Sequence, residues 1–205
     1  MLSLDHLVVT GTAPDKAADH VARSLGVAPD PGGRHAAMGT ANRLLHLGPS
    51  LYLEAIGRDP AAPAPARARW FGLDHPPAGP RLAAWVARCG DLAATLAQVP
   101  FEAGDILDFS RGDLHWRMAV PAGGITAFDG LFPWLIEWQG PRHPATRLPD
   151  RDCRLMEMEI THPQADRLAR ALIGLLDDAR VAILPGPAPA LSARIMTAGG
   201  ERVLS

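Results

Sequence analysis

The chain has almost no lysine. Lys16 stands alone, and nearly all positive charge is arginine, which points to a compositional bias of the coding sequence and not to a function. Basic and acidic residues nearly cancel, 20 against 22, for a net charge of −2. That balance gives no reason to expect nucleic acid or an anionic membrane as partner. Cysteine is scarce too. Cys89 and Cys153 form no Cys-x-x-Cys pair, which excludes a readable thiolate zinc site, and two lone thiols suit a cytoplasmic protein better than a disulfide-stapled one. No run of about 18 apolar residues exists, so no membrane helix is expected. The start, Met1-Leu2-Ser3-Leu4-Asp5-His6, lacks a basic leader and is not expected to be a signal peptide. There is no Gly-x-Ser-x-Gly elbow, no Gly-x-Gly-x-x-Gly after a strand, and no phosphate-loop lysine.

What is present is a globular chain of 205 residues, 47% hydrophobic, long enough for one large domain or two small modules. The densest polar punctuation runs from Gly32-Gly33 through His35, Gly39-Thr40 and Asn42 to Tyr52-Leu53-Glu54. Residues 2–9 alternate as a strand, with Leu4, His6 and Val8 predicted on one face and Asp5, Leu7 and Val9 on the other. Pro14 opens a helix whose stripe is Ala17, Ala18, Val21, Ala22 and Leu25, and Gly26 ends it. A turn-rich loop over 28–33 leads to strands near 36–47 and 50–57. This first module spans 1–57. A Pro/Ala-rich connection over 58–80 follows, and its Trp70-Phe71-Gly72-Leu73 is apolar enough to dock on the body.

The order then restarts over 81–140. A strand at 81–88 precedes a short helix capped by Asp91, strands near 105–110 and 114–120 are joined by Arg111-Gly112-Asp113, and a strand at 133–138 closes the unit. A shorter third copy is expected over 150–205, with a strand at 154–161, a helix opened by Pro163, and three more strands. Internal repetition is the main organisational signal.

His6 and Glu54 lie 48 residues apart, and Trp85 and Glu137 in the second unit lie 52 apart. If the units pack as twins, Glu54 and Glu137 face each other across a shared groove with His6 beside them. One imidazole and two carboxylates suit Zn, Fe, Mn, Ni or Co as a divalent ion, and Glu54 or Glu137 would then move a proton. Asn42 and His46 share a strand face that is a candidate pocket floor or an exposed edge. His35 follows the glycine pair, and His115 and Arg117 alternate with apolar neighbours; all are candidate substrate contacts, as is Trp85. The tryptophans otherwise read as core or pocket wall.

Leu4-Asp5-His6-Leu7-Val8-Val9, the Gly32-Gly33-x-His35-x-x-x-Gly39-Thr40-x-Asn42 run and Tyr52-Leu53-Glu54 together resemble the glyoxalase-like domain of the vicinal oxygen chelate superfamily. The resemblance implies an α+β fold of paired βαβββ modules with curled mixed sheets forming a cup, here with a partial third βαβ-type unit at the C-terminus. It implies a divalent metal held by His6, Glu54 and Glu137, with Trp85 standing where a fourth ligand would be. It also implies a lyase, isomerase or dioxygenase acting on a small oxygen-bearing molecule. Some superfamily members bind or sequester drugs with no metal, and that is the alternative. A homodimer built on the C-terminal unit is a third expectation.

Overall fold

The structure, a computed structural model, describes residues 1–76 and 78–205; Pro77, inside the predicted connection, lies outside the described residues. Its elements in chain order are β1 (Ser3–Gly11), α1 (Pro14–Leu25), β2 (Asp30–His35), β3 (Thr40–Gly48), β4 (Leu51–Arg58), β5 (Arg81–Arg88), α2 (Leu92–Leu96), β6 (Asp105–Arg111), β7 (Leu114–Val120) and β8 (Trp134–Trp138), then β9 (Arg154–His162), α3 (Ala165–Leu172), β10 (Val181–Pro185), β11 (Ala190–Thr197) and β12 (Gly200–Leu204).

Eight strands form one curled sheet in the order β2-β3-β4-β1-β5-β8-β7-β6. Each module closes on itself by a parallel pair, β1 with β4 and β5 with β8, and the modules meet where β1 runs antiparallel to β5. This is the expected α+β cup of paired modules. Strand β2 is the one element the sequence hid. It carries Pro31, Gly32 and Gly33, residues that disfavour a central strand, and it survives because it is the sheet edge, pairing only with β3.

The two faces of the sheet hold separate apolar clusters. Leu7, Val9, Leu53, Trp85 and Ala87 pack on the convex side with α1, α3 and the C-terminal sheet. Val8, Ile56, Ala84, Val86, Trp116, Trp134 and Ile136 line the concave side. Helix α1 begins with Pro14, whose missing N–H costs nothing in a first turn. It stops at Gly26, whose φ of 72° places it in the left-handed region while its N–H donates to the Ala22 carbonyl.

One irregularity decides where the chemistry sits. The register of β1 against β5 shifts between Leu4 and His6. Such a bulge breaks the alternation of side chains. Leu4 therefore joins the convex core and not the cup face predicted for it, while Asp5 and His6 come side by side.

The C-terminal unit starts as a βαβ, with β10 parallel to β9 after α3. It is not a third copy of the module. Its order is β10-β9-β11-β12, with β9 paired in parallel to the strand directly after the helix, whereas β1 pairs in parallel with the last strand of its module. Its apolar residues, among them Met158, Ile160, Ala193 and Ile195, back the convex face of the large sheet. Cys89 and Cys153 are both free thiols. No helix among the described residues is long and apolar enough to cross a membrane.

Candidate functional site

A small cavity opens on the concave face. One side of it is polar. His6 projects from β1, Asn42 from β3, and Tyr52 and Glu54 from β4. His35 comes from the end of β2, and Arg111 reaches over from the end of β6. The other side is apolar, built from Trp116 and Met118 of β7 and Ile136 and Trp138 of β8. Trp70 and Phe71, from the connection between the modules, close the cavity. The apolar tetrapeptide thus docks on the cup, and Trp70 donates its indole N–H to Thr40 Oγ1 at 3.2 Å.

The polar groups form a continuous chain. Asp5 is fully buried and accepts from His6 Nδ1 at 2.7 Å, from Trp138 Nε1 at 2.9 Å and from His143 Nε2 at 3.0 Å. His143 Nδ1 accepts from the Ala145 N–H, which fixes its other nitrogen as the donor. His6 lies stacked on Tyr52, centroids 4.5 Å apart, and turns Nε2 towards Glu54 Oε2 at 3.6 Å, an ion-pair separation longer than a hydrogen bond. Glu54 Oε1 accepts from Asn42 Nδ2 at 2.5 Å. Asn42 Oδ1 accepts from the Gly33 N–H at 2.7 Å and lies 3.4 Å from Arg111. Arg111 then donates to His35 Nε2 at 3.0 Å, and His35 Nδ1 faces Thr40 Oγ1 at 3.2 Å.

The glycine pair explains itself here. A Cβ on Gly32 would stand 2.2 Å from Asn42 Oδ1, and one on Gly33 would stand 2.6 Å from Arg111 Cδ. The two bare residues clear the space through which the amide and the guanidinium enter the site.

Burial and charge then set protonation. Burial alone would neutralise His6, but the carboxylates of Asp5 and Glu54 outweigh it and raise the ring to about 9. Burial would likewise raise Glu54, but His6 and the Asn42 amide hold it down to about 2. Asp5 is held far below the usual carboxylate range despite its burial, by His143 and His6. His35 goes the other way. Burial lowers it to about 4, with Arg111 adding to the shift, so its Nε2 is free to accept from the guanidinium. At neutral pH the cup holds an imidazolium between two carboxylates, and a neutral imidazole beside an arginine.

Of the residues singled out by sequence, His6, His35, Asn42 and Glu54 converge. The rest do not. Glu137 sits on the opposite face of β8 from Ile136 and Trp138. Its carboxylate accepts from the Leu92 N–H at 2.7 Å, from Gln139 at 2.6 Å and from Arg117 at 2.6 Å. Arg117 is therefore its outward partner and not a groove residue, and His115 beside it is exposed. Trp85 is buried in the convex core, with its indole N–H on the Leu131 carbonyl at 2.9 Å. His46 lies further along the face of β3, with Nδ1 3.5 Å from Asp150. In the other direction, Asp5, Tyr52 and Arg111 escaped as site residues, and the tryptophans of the cavity read only as core or pocket wall. The alternation of Trp116 and Met118 with His115 and Arg117 was the available signal, with the apolar set facing inward.

A divalent centre of the anticipated kind needs at least three protein donors. Only His6 and Glu54 meet. The concave positions of the second module are Ala84, Val86, Trp134, Ile136 and Trp138, none of them a ligand. Among the described residues no three His, Cys, Asp or Glu side chains are placed to share an ion. The donor set does not fit such a metal centre.

The profile of the family described as "Glyoxalase-like domain" matches residues 4–176. No curated protein matches the chain. Among solved structures, a hypothetical protein from Staphylococcus aureus superposes with a TM-score of 0.61 at 12% identity, covering 92% of this chain and 88% of its own. A methylmalonyl-CoA epimerase from Streptomyces coelicolor, in complex with 2-nitronate-propionyl-CoA, gives a TM-score of 0.43 at 12% identity, covering 68% of this chain and 98% of its own. At these identities the first likeness concerns the fold alone, and the second carries no argument.

Proposed function

Because the chain belongs to the glyoxalase-like domain family, we propose that its cup receives one small organic molecule and holds it without a superfamily-type metal ion. The reading rests on one observation. The positions that would complete a metal centre opposite His6 and Glu54 are apolar, and on the cavity itself they are joined by Trp116 and Met118. Such a wall suits the apolar part of a small ligand. The metal-dependent lyase, isomerase or dioxygenase chemistry anticipated from the resemblance would require donors that this cup does not supply.

The binding test is thermal. Chelator-treated protein is melted against a library of small aromatic and carbonyl compounds, charged and neutral. A ligand at about 100 times its Kd stabilises the fold by about 2.7 kcal/mol. The expected result is stabilisation by at least one compound, unchanged by chelator. Stabilisation that requires an added divalent ion contradicts the proposal.

A second reading has its own support. The line Asp5–His6–Glu54 ends at the cavity, and such a buried chain of opposite charges is an expensive way to hold a pocket together. It suits a metal-independent isomerase. Glu54 would accept a proton from a carbon beside a carbonyl, and His6 would stabilise the oxygen that gains charge. A bound carbonyl compound should then exchange that proton for deuterium in D2O, followed by NMR. The exchange should vanish in Glu54→Gln, and a wild-type protein that binds without exchange is a binding protein only.

A further inference from the structure

A second cavity, of about 100 Å³, lies on the same concave face. The first gathers around His6. The second gathers around Thr10, further along β1. Its floor is Thr10 with Ala83 and Ala84 of β5 and Trp134 of β8. Phe71 and Gly72, from the connection between the modules, stand on one side, and the loop over 125–130 stands on the other. Among the described residues Phe71 alone lines both cavities and so divides them.

Three irregularities meet at this second cavity. The first is a hydroxyl. Thr10 is 1% exposed, and its Oγ1 has no hydrogen-bond partner among the described residues. A buried hydroxyl left unpaired is destabilising, and native folds rarely keep one without use. The second is a bulge. Val8 pairs with Ala84 and Val9 with Leu82, which leaves Ala83 unpaired, so two successive residues of β5 line one cavity. The third is backbone strain. Among the described residues four other than glycine have φ in the left-handed region. Two of them, Phe71 at 57° and Asp129 at 56°, line the cavity, and a third, Phe128 at 56°, adjoins Asp129. Such conformations gather at ligand sites and persist only where the surroundings hold them. Here the Gly72 N–H donates to the Gly124 carbonyl at 2.8 Å, and Thr126 Oγ1 donates to the Phe132 carbonyl at 2.7 Å. His162 of the C-terminal unit accepts from the Gln164 N–H through Nδ1 and donates to Asp129 through Nε2 at 3.0 Å.

We propose that this second cavity binds a small neutral molecule carrying one hydroxyl or carbonyl group, with that group on Thr10 and its carbon frame against Phe71, Trp134 and Ile125. A hydroxyl both donates and accepts, so Thr10 serves an alcohol or a ketone equally. The rings of Phe71 and Trp134 meet edge to face with centroids 4.8 Å apart and form one apolar corner. Ile125, 52% exposed, extends that corner to the surface. The rim carries one arginine and one aspartate, Arg81 and Asp129, whose charges cancel, so nothing there selects an ion. A dry cavity of about 150 Å³ accepts one benzene, so this volume suits about four or five non-hydrogen atoms. A ligand of that size binds with an affinity on the order of millimolar. The site stands apart from the polar cavity of His6 and Glu54, and the inference does not depend on what that cavity holds.

The test is an NMR titration of isotope-labelled protein with sec-butanol and butanone, against the similarly sized ions propionate and sec-butylammonium. The expected result is saturable shifts of the Thr10, Ala83 and Gly130 amides and of the Trp134 indole N–H, with the neutral probes at least about fivefold tighter than the ions. Thr10→Val keeps the shape and removes the hydroxyl. It should weaken both neutral probes by at least about fivefold, the scale of one hydrogen bond. It should also raise the melting temperature of the ligand-free protein by about 2–4 °C, because the unpaired group is gone. Thr10→Ser keeps the hydroxyl and should hold the neutral probes within about threefold. If Thr10→Val does not fold, Ala83→Val, which fills the cavity from its floor, must weaken the neutral probes by as much. Saturation by none of the four probes overturns the proposal, as does unchanged affinity of Thr10→Val for the neutral ones. A lower melting temperature for Thr10→Val means that the hydroxyl is satisfied in the free protein, and it overturns the proposal too. Tighter binding of either ion overturns the neutral class. Shifts confined to His6, Asn42 and Glu54 overturn this second site and leave the reading of the polar cavity standing.

Discussion

The two halves of the cup share one strand plan and have opposite chemistry. In the first half the concave positions of β1, β3 and β4 carry His6, Asn42, Tyr52 and Glu54. In the second half the concave positions of β5, β7 and β8 carry Ala84, Val86, Trp116, Met118, Trp134 and Ile136. Ionisable groups are not missing from the second half. Glu137, Arg117 and His115 are all there, one residue out of phase, on the other face of the same strands. The lesson is that duplication of a backbone does not duplicate a site. A strand has a period of two, so a single residue of phase exchanges a ligand set for an apolar wall.

The largest expected consequence falls on Asp5, which anchors the polar half from behind. Asp5→Ala leaves His6, His143 and Trp138 without their buried acceptor and should cost about 3–5 kcal/mol, the usual result of breaking a buried charge network. For a chain of this size that lowers the melting temperature by about 2–4 °C per kcal/mol. A loss below about 1 kcal/mol in a denaturant melt would mean that the polar half is not organised around Asp5.

The alkaline limb of stability should belong to the polar half next. His6 is raised from 6.5 to about 9 in the folded protein. A base with a raised folded value contributes its full stabilisation below its unfolded value, and that contribution disappears as pH climbs through the folded one. Stability should therefore fall between about pH 6.5 and 9. Glu54, lowered to about 2, contributes above its unfolded value and loses that contribution as pH falls towards 2. In His6→Gln the curve should start lower and be flat across the alkaline window. A wild-type curve already flat from pH 6.5 to 9 would contradict the buried imidazolium.

A smaller effect is expected at Gly32. Ala at that position would press its Cβ to 2.2 Å from the Asn42 side chain and 2.6 Å from its carbonyl oxygen. Overpacking of this kind costs about 1–3 kcal/mol, and by turning Asn42 it should also loosen ligand binding. The smallest effect is expected from Glu137→Gln. It keeps an acceptor near the Leu92 N–H and gives up a partly exposed ion pair with Arg117, worth about 0–1 kcal/mol, together with the acceptor of the Gln139 amide. Ligand affinity should not change. A Glu137→Gln variant that loses binding would put the second half back into the site.

Much of this architecture was legible in the residues. Apart from β2, the first module's elements, the polar triplet His6, Asn42 and Glu54, and the docking of Trp70 follow from alternation, caps and punctuation. The phase of the second module did not. Trp85 with Glu137 and Ala84 with Ile136 are separated by the same 52 residues, so spacing is blind to phase. Hydrophobicity was equally blind, because the sheet is covered on both faces and the strands read apolar throughout. Asp5 was concealed by the bulge beside it, which breaks the very alternation used to place it. Arg111 was concealed by distance. It read as one end of a tight turn, and its contacts with Asn42 and His35 span 69 and 76 residues.

The difference between the halves is tested most directly by metal stoichiometry. Chelator-stripped protein is titrated with Zn, Mn, Ni, Co and Fe(II) salts, and the bound ion is counted by elemental analysis after gel filtration. The account predicts well under about 0.1 ion per chain and no saturable heat of binding, because two donors do not make a divalent site. About one ion per chain, lost in both His6→Ala and Glu54→Gln, would contradict it.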